Sequence, residues 1–140
     1  YVSVGTNYAE LLEAAGGLKE SGAEKMISGG PMMGFSMFDL NVPITKTNSS
    51  LLCLSTDDVS HLEPSACINC GRCVEACPEL LVPSRLAKQA NLKLGEEFEK
   101  WNGMECIECG SCSFICPARR PLAQSIKTMK KDILAARRKK

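Results

Sequence analysis

The chain has 140 residues, of which 44% are hydrophobic and 24% charged, a balance typical of a globular protein. Aromatic residues are scarce, and no stretch approaches the ~20 apolar residues of a transmembrane helix. The N-terminus lacks a secretory signal and starts without methionine, which predicts a piece of a longer protein. The formal net charge of +1 conceals −7 over residues 1–118 and +8 over residues 119–140, so a basic tail is predicted.

Residues 1–56 are predicted to form a small unit of mixed helix and strand. Thr6 is a candidate N-cap for a short amphipathic helix, which Gly16 and Gly17 end. Three short apolar runs are typical of strands: residues 26–27, 42–46 and 51–54. Residues 57–65 are mostly polar and predict a linker to the rest of the chain.

Three isolated features of this region each admit two interpretations. Residues 29–34, with the sequence GGPMMG, are rich in glycine but match neither common phosphate-loop pattern, so a tight turn is the alternative. Cys53 lies in an apolar run, which favours a structural residue over a redox-active thiol. His61 has no partner at metal-ligand spacing, which favours a surface or capping role over a metal ligand.

The chain contains nine cysteines, and eight of them form two copies of one motif. Each copy has the spacing C-x2-C-x2-C-x3-C-P, and the copies repeat with a period of 39 residues. The eight residues are Cys67, Cys70, Cys73, Cys77, Cys106, Cys109, Cys112 and Cys116. Pairs spaced C-x2-C favour metal binding over disulfides, and without a secretory signal we expect a reducing cytosol. The full spacing is typical of proteins that hold two [4Fe–4S] clusters.

The two motifs are predicted to exchange their fourth cysteines. A cubane cluster needs four thiolates, and one tight loop supplies three of them. In two-cluster proteins with this spacing, the fourth cysteine of each run binds the other cluster. The ligands expected for the first cluster are Cys67, Cys70, Cys73 and Cys116. Those expected for the second cluster are Cys106, Cys109, Cys112 and Cys77.

Helices are predicted to support both motifs. Pro83 suits the first turn of one helix, and Leu94, Phe98 and Trp101 fall on one face of another. A third helix over residues 121–140 carries an apolar stripe and a basic end. Four aliphatic residues beside the ligands are predicted to exclude water from the clusters: Ile68, Val74, Ile107 and Ile115.

Four segments carry a resemblance to a known family: GGPMMG, VPITKTNSSLLCL, ACINCGRCVEACP and MECIECGSCSFICPARRPL. Together they resemble the C subunit of the Rnf complex, the ion-translocating ferredoxin:NAD+ oxidoreductase of bacterial membranes. The resemblance covers nearly the whole chain and matches all eight ligand positions. A microcompartment cobalamin reductase has a similar architecture and is the nearest alternative, but GGPMMG and the second cysteine run favour the Rnf protein.

The resemblance implies an α+β fold in two parts. Residues 1–56 would form a small β-grasp-like segment of the soluble-ligand-binding (SLBB) type, and residues 66–140 an α-helical ferredoxin domain with two [4Fe–4S] clusters. The resemblance also implies an upstream domain that binds FMN and NADH, so this chain would be a C-terminal piece without that site. The subunit would be peripheral, on the cytoplasmic side of the bacterial cell membrane. Its partners would be other subunits of the complex and a ferredoxin-like electron carrier.

Two further function classes stay open from the residues alone. A zinc-stabilised interaction module would use the same cysteines in two four-cysteine zinc sites. A free-standing ferredoxin would carry clusters but has no need of a region such as residues 1–56. Nucleic-acid binding is not expected, because no aromatic residues interleave with the basic tail. No Ser/His/Asp arrangement or positioned carboxylate pair is evident, so no catalytic residue is predicted.

Overall fold

The computed structural model describes residues 1–19, 22–57 and 59–139, which fall into two compact units, Tyr1–His61 and Leu62–Lys140. The first unit contains α1 (Tyr8–Ala14), β1 (Lys25–Ser28), β2 (Phe35–Met37) and β3 (Leu51–Leu54). The second contains α2 (Arg72–Glu75), α3 (Pro83–Asn91), α4 (Gly95–Lys100), a 3₁₀ turn (Gly103–Glu105), α5 (Ser111–Phe114) and α6 (Leu122–Arg138). The mixture of helices and strands expected from the sequence is confirmed.

Helix α1 is capped one residue later than the sequence predicts. The side chain of Asn7 accepts a hydrogen bond from the backbone N–H of Ala9 at 3.1 Å, so Asn7 is the N-cap and the prediction of Thr6 is wrong. Gly16 and Gly17 follow the helix with φ of +100° and +74°, which lets the chain turn away. The predicted glycine stop is confirmed.

The sheet of the first unit is antiparallel, with β1 in the centre and β2 and β3 on either side. Met26 of β1 faces Met37 of β2 on one side and Cys53 of β3 on the other. The sequence prediction missed β2, because two of its three residues are exposed and it shows no buried alternation. Tyr8 lies against this sheet, where its hydroxyl is hydrogen-bonded to Ser28 at 2.6 Å.

The predicted strand over residues 42–46 is not formed. The backbone of this segment bonds to the residues around the start of α1, through Tyr8 N to Val42 O at 3.2 Å and Ile44 N to Thr6 O at 2.8 Å. Pro43 makes an isolated bridge with Asn7. Because Pro43 has no N–H to donate, a regular strand ladder is disfavoured at this position.

Residues 29–34 form the turn between β1 and β2. The N–H of Gly34 donates to the carbonyl of Gly30 at 2.8 Å, and a Cβ on Gly34 would lie 2.5 Å from that same oxygen. Glycine is therefore required here by close backbone approach. The side chains of Met32 and Met33 are 49% and 58% exposed. They do not pack into the turn.

The second unit is built on α3 and α6, which pack against each other. Pro83 begins α3, as predicted from its preference for the first helical turn. The buried residues that join the helices of this unit are Leu81, Leu86, Phe98, Ile126 and Met129. Gly103 lets the chain pass the ring of Phe98, since a Cβ there would lie 2.3 Å from a ring carbon.

Two predicted helix faces need correction. In α4 only Phe98 is buried, whereas Leu94 and Trp101, at either end of the helix, are 45% and 38% exposed. The planar guanidinium of Arg85 stacks on the Trp101 ring at 3.5 Å from its centre, which covers the ring without burying it in the core. In α6 the predicted apolar stripe of Leu122, Ile126, Met129, Ile133 and Leu134 ends at Ile133, because Leu134 is 41% exposed. Across the described ranges, every helix is too short or too polar to span a bilayer.

Candidate metal centre

The two cysteine loops repeat the same backbone. Gly71 and Gly110 adopt φ of +80° and +84° and begin the short helices α2 and α5, which carry the third cysteine of each motif. Three pairs of residues 39 positions apart share a positive φ: Asn69 and Glu108, Gly71 and Gly110, and Leu80 and Arg119. A backbone that enters the left-handed region twice within three residues curls into a concave loop, a shape found at many iron–sulfur sites.

The structure groups the eight cysteines into two sets of four. The first cavity is lined by Cys67, Cys70, Cys73 and Cys116. The second cavity is lined by Cys77, Cys106, Cys109 and Cys112. Each cavity measures about 380 Å³. Each set takes three cysteines from one motif and the fourth from the other, and which cysteines bind which cluster stays a prediction.

Helices α3 and α6 supply apolar walls to the cavities. Leu86 of α3 and Ile126 of α6 line the second cavity, and Leu122 of α6 lines the first. All three side chains are 0–2% exposed. The sequence predicts that the helical face with Leu86 covers the clusters, whereas for the stripe with Leu122 and Ile126 it predicts only docking on the cysteine region. The spacing of apolar residues along a helix was the available signal.

The aliphatic residues expected to exclude water do so incompletely. Ile68 lines the first cavity and Ile107 the second, yet they remain 64% and 52% exposed. Ile115 is 38% exposed. Val74 is half-buried. These residues therefore shield the sites only in part, and the deep walls come from the helices.

Backbone amides donate to cysteine sulfurs in the second set. The N–H of Leu81 donates to Cys77 Sγ and that of Glu108 to Cys106 Sγ, each at 3.4 Å. Hydrogen bonds to ligand sulfurs stabilise negative charge on them and so raise the reduction potential of a bound cluster. The positive φ of Glu108 belongs to the loop that carries this contact.

Burial and hydrogen bonding affect the thiols of the second set differently. Burial, reinforced by the neighbouring Cys106, raises the pKa of Cys112 to about 11. Burial also raises the pKa of Cys106. A hydrogen bond to Ser111 lowers the pKa of Cys109. Because a metal ligand must be a thiolate, metal binding to the buried thiols would release protons.

A charged cluster that was not predicted from the sequence ties α6 to the second loop. The ammonium group of Lys130 donates to the carbonyl of Cys106 at 2.5 Å and lies 3.4 Å from the carboxylate of Glu108. Lys127 lies 3.6 Å from the same carboxylate. The side chain of Lys130 is only 14% exposed, so its charge acts in a partly desolvated environment. The sequence predicts a basic helix for both lysines but does not predict their contact with the second loop.

Two kinds of metal centre take four cysteine ligands, a single zinc ion and a [4Fe–4S] cluster. In residues 1–19, 22–57 and 59–139, no group of three or more His, Cys, Asp or Glu side chains is placed to hold one metal ion. A zinc ion holds its sulfurs at about 2.3 Å from a single centre. The four cysteines that line each cavity match the ligand number of a [4Fe–4S] cluster, and the spacing of the two motifs favours the cluster.

The two other residues considered for chemistry lie in the first unit. Cys53 is half-buried in β3, paired with Met26 in the sheet, as expected for a structural residue. His61 is exposed at the end of that unit. Neither lines a cysteine cavity.

Comparison with known proteins adds the family. Residues 60–131, just over half of the chain, match the family described as 4Fe-4S dicluster domain. The chain belongs to this family. The match includes both cysteine loops and most of α6, so the walls of both cavities fall within it. A ferredoxin-like dicluster domain is thereby confirmed.

Similar proteins extend beyond this domain. The chain is 42% identical over 99% of its length to the C subunit of the Na(+)-translocating ferredoxin:NAD(+) oxidoreductase complex of Acetobacterium woodii. It is 42% identical over 96% of its length to the C subunit of the proton-translocating complex of Clostridium ljungdahlii. It is 35% identical over 95% of its length to the C subunit of the ion-translocating oxidoreductase complex of Methanosarcina acetivorans. The chain spans less than a third of the length of these relatives. The resemblance to the Rnf C subunit is confirmed.

Proposed function

We propose that the chain binds two [4Fe–4S] clusters and transfers electrons as part of an ion-translocating ferredoxin:NAD+ oxidoreductase complex. The observation that carries this proposal is the sorting of eight cysteines into two sets of four around separate cavities. Each set needs both motifs, so the pair of sites is one unit in which neither loop suffices alone. A bound [4Fe–4S] cluster supplies a one-electron redox centre.

The protein supplies ligands, walls and charges around these sites. The proposed ligands of the first cluster are Cys67, Cys70, Cys73 and Cys116, and those of the second are Cys106, Cys109, Cys112 and Cys77. Leu86, Leu122 and Ile126 limit access of water, which keeps the local dielectric low. Lys130 holds a positive charge beside the second loop, where it stabilises negative charge on the sulfurs.

The similar proteins support a role for the chain in a larger complex. Their names specify an ion-translocating ferredoxin:NAD(+) oxidoreductase, and identity extends over nearly the whole of this chain. We infer that the chain works with other subunits of such a complex and with a ferredoxin-like carrier, peripherally on the cytoplasmic side of the membrane. FMN and NADH would bind in a part of the protein beyond these 140 residues.

We assign the first unit to a β-grasp segment of the SLBB type. Its three-stranded antiparallel sheet is joined to α1 by the buried Tyr8, whose hydroxyl is hydrogen-bonded to Ser28 of β1. The resemblance of GGPMMG and VPITKTNSSLLCL to the Rnf C subunit supports the same assignment. Residues 57–65 then connect this segment to the helical ferredoxin domain over residues 66–140.

Iron and acid-labile sulfide analysis of anaerobically purified protein tests the cluster proposal. Two [4Fe–4S] clusters predict about eight iron and about eight sulfide per chain, with broad visible absorbance. Zinc without labile sulfide would support the interaction module and contradict the proposal. A double variant, Cys53→Ser and His61→Ala, is the matched control and is expected to keep the full iron and sulfide content.

A further inference from the structure

A broad groove lies beside the first cavity on the second unit. Its volume is about 1180 Å³, some three times that of either cysteine cavity. Four residues line both the groove and the first cavity: Cys67, Asn69, Ser84 and Arg120. Cys67 is itself exposed. The groove therefore places any occupant next to a proposed cluster ligand.

The groove carries excess positive charge. Arg85 and Lys88 on α3 are exposed, and Arg120 is half-buried. Within the described residues, none of these three cations forms an ion pair. Glu97 contributes one carboxylate to the lining, and that carboxylate lies 3.3 Å from Lys100. Three unpaired cations against one paired anion create a surface that attracts acidic partners.

Two further groups make the groove suitable for recognition. Arg85 lines the groove, and its guanidinium stacks on Trp101, which lies outside the lining. Arginine is among the residue types enriched where protein partners bind. Gln89 is 94% buried and also lines the groove, yet its Oε1 has no hydrogen-bond partner. A buried acceptor without a donor is uncommon in native structures.

We propose that this groove docks the acidic face of a one-electron carrier protein. The inference rests on the proposed function, because such a partner is useful only beside a redox centre. Pockets for small molecules bury most of their ligand, whereas Arg85 and Lys88 are exposed residues of a broad groove. Such cations steer an acidic protein into register and raise its association rate. Docking here brings the partner to the exposed side of the first cavity.

Calorimetric titration of the cluster-containing full chain with a small acidic [2Fe–2S] ferredoxin tests the proposal. Binding is expected at about 0.01 M salt and is expected to be lost at about 1 M, where the Debye length falls from about 30 Å to about 3 Å. Lys88→Glu is expected to weaken binding about tenfold. Glu97→Gln is expected to tighten it about twofold, because it removes the carboxylate from the groove.

Matched variants and probes separate local docking from net charge. Lys131→Glu makes the same charge change on α6 outside the groove lining and is expected to alter the Kd by less than about twofold. Glu96→Gln, beside Glu97 but outside the lining, is the control for the opposite sign. A basic cytochrome c of similar size is expected not to bind the native chain and to gain affinity for Lys88→Glu.

Three outcomes would overturn the proposal. Equal weakening by Lys88→Glu and Lys131→Glu would show a general charge effect. Absence of any ferredoxin binding at low salt would exclude the partner. Displacement of ferredoxin by inorganic pyrophosphate, at an ionic strength where chloride has no effect, would assign the groove to a small anion. Iron and sulfide are measured in every sample, so a chain without clusters fails the proposed function rather than the docking surface.

Discussion

The loops of residues 67–77 and 106–116 follow the same backbone in different surroundings. Cys67 and Cys70 of the first loop are exposed, whereas Cys112 of the second is 8% exposed. The second loop is tied to α6 through Lys130 and Glu108, and the equivalents of these residues, 39 positions earlier, are Asn91 and Asn69. The repeated motif fixes the shape of each loop, while residues outside it decide how far each site is shielded. We therefore expect the first site to face partners and the second to lie deeper.

The largest expected effect concerns the helices that both loops share. Leu86→Ala removes a fully buried side chain that lines the second cavity, and it should lower the free energy of unfolding of the second unit by about 2–5 kcal/mol. Leu92→Ala at the end of the same helix changes a side chain that is 58% exposed and should cost less than about 0.5 kcal/mol. Urea unfolding followed by circular dichroism measures both. Equal losses would mean that α3 is not anchored by its buried face.

A smaller effect is expected from the charged tie that distinguishes the loops. Lys130→Met leaves the Cys106 carbonyl without its partly buried donor and leaves Glu108 with Lys127 alone, so it should cost about 1–3 kcal/mol. Loss of the positive charge should also lower the midpoint potential of the second cluster, because the reduced form is more negative. Redox titration followed by EPR measures the potential. The control is Asn91→Met, the equivalent exposed position, for which neither quantity should change appreciably.

The smallest effect should be confined to the first unit. Asp57 lies 2.7 Å from Lys25, and this hydrogen bond lowers the pKa of the Asp57 carboxyl. A lowered pKa in the folded state means that the ion pair stabilises the unit above the unfolded-state pKa of about 3.9. That stabilisation is lost as the pH falls through the lower folded-state value. Asp57→Asn should therefore weaken the pH dependence of unfolding on the acid side, as measured by circular dichroism.

The same substitution should leave both cysteine sites unchanged. Visible absorbance of Asp57→Asn near neutral pH is expected to match that of the native chain, because Asp57 lines neither cavity. A loss of absorbance would show that the cluster sites depend on the ion pair of the first unit, and it would contradict the expectation that the substitution acts only within that unit.

The two repeated cysteine loops could be predicted from the sequence, because the spacing of the cysteines along the chain determines the geometry of each loop. The start of α3 at Pro83 and the glycine stop after α1 could also be predicted, because they depend on the backbone preferences of single residues. Residues 42–46 could not be predicted correctly, because apolar composition does not show that Pro43 turns the segment toward α1 instead of the sheet. The surroundings of the second loop could not be predicted either, since Lys130 and Cys106 are 24 positions apart and come into contact only when α6 packs against the loop.

The central claim is that each cluster takes its fourth ligand from the other motif, and Cys77→Ser tests it most directly. Cys77 belongs to the first motif but lines the second cavity. In cluster-resolved EPR, Cys77→Ser should alter or remove the signal of the second cluster, which is the signal that Lys130→Met shifts. Cys116→Ser is the matched variant for the first cavity. Loss of the other signal in Cys77→Ser, with the Lys130-sensitive signal intact, would contradict the exchange and return the chain to two independent sites.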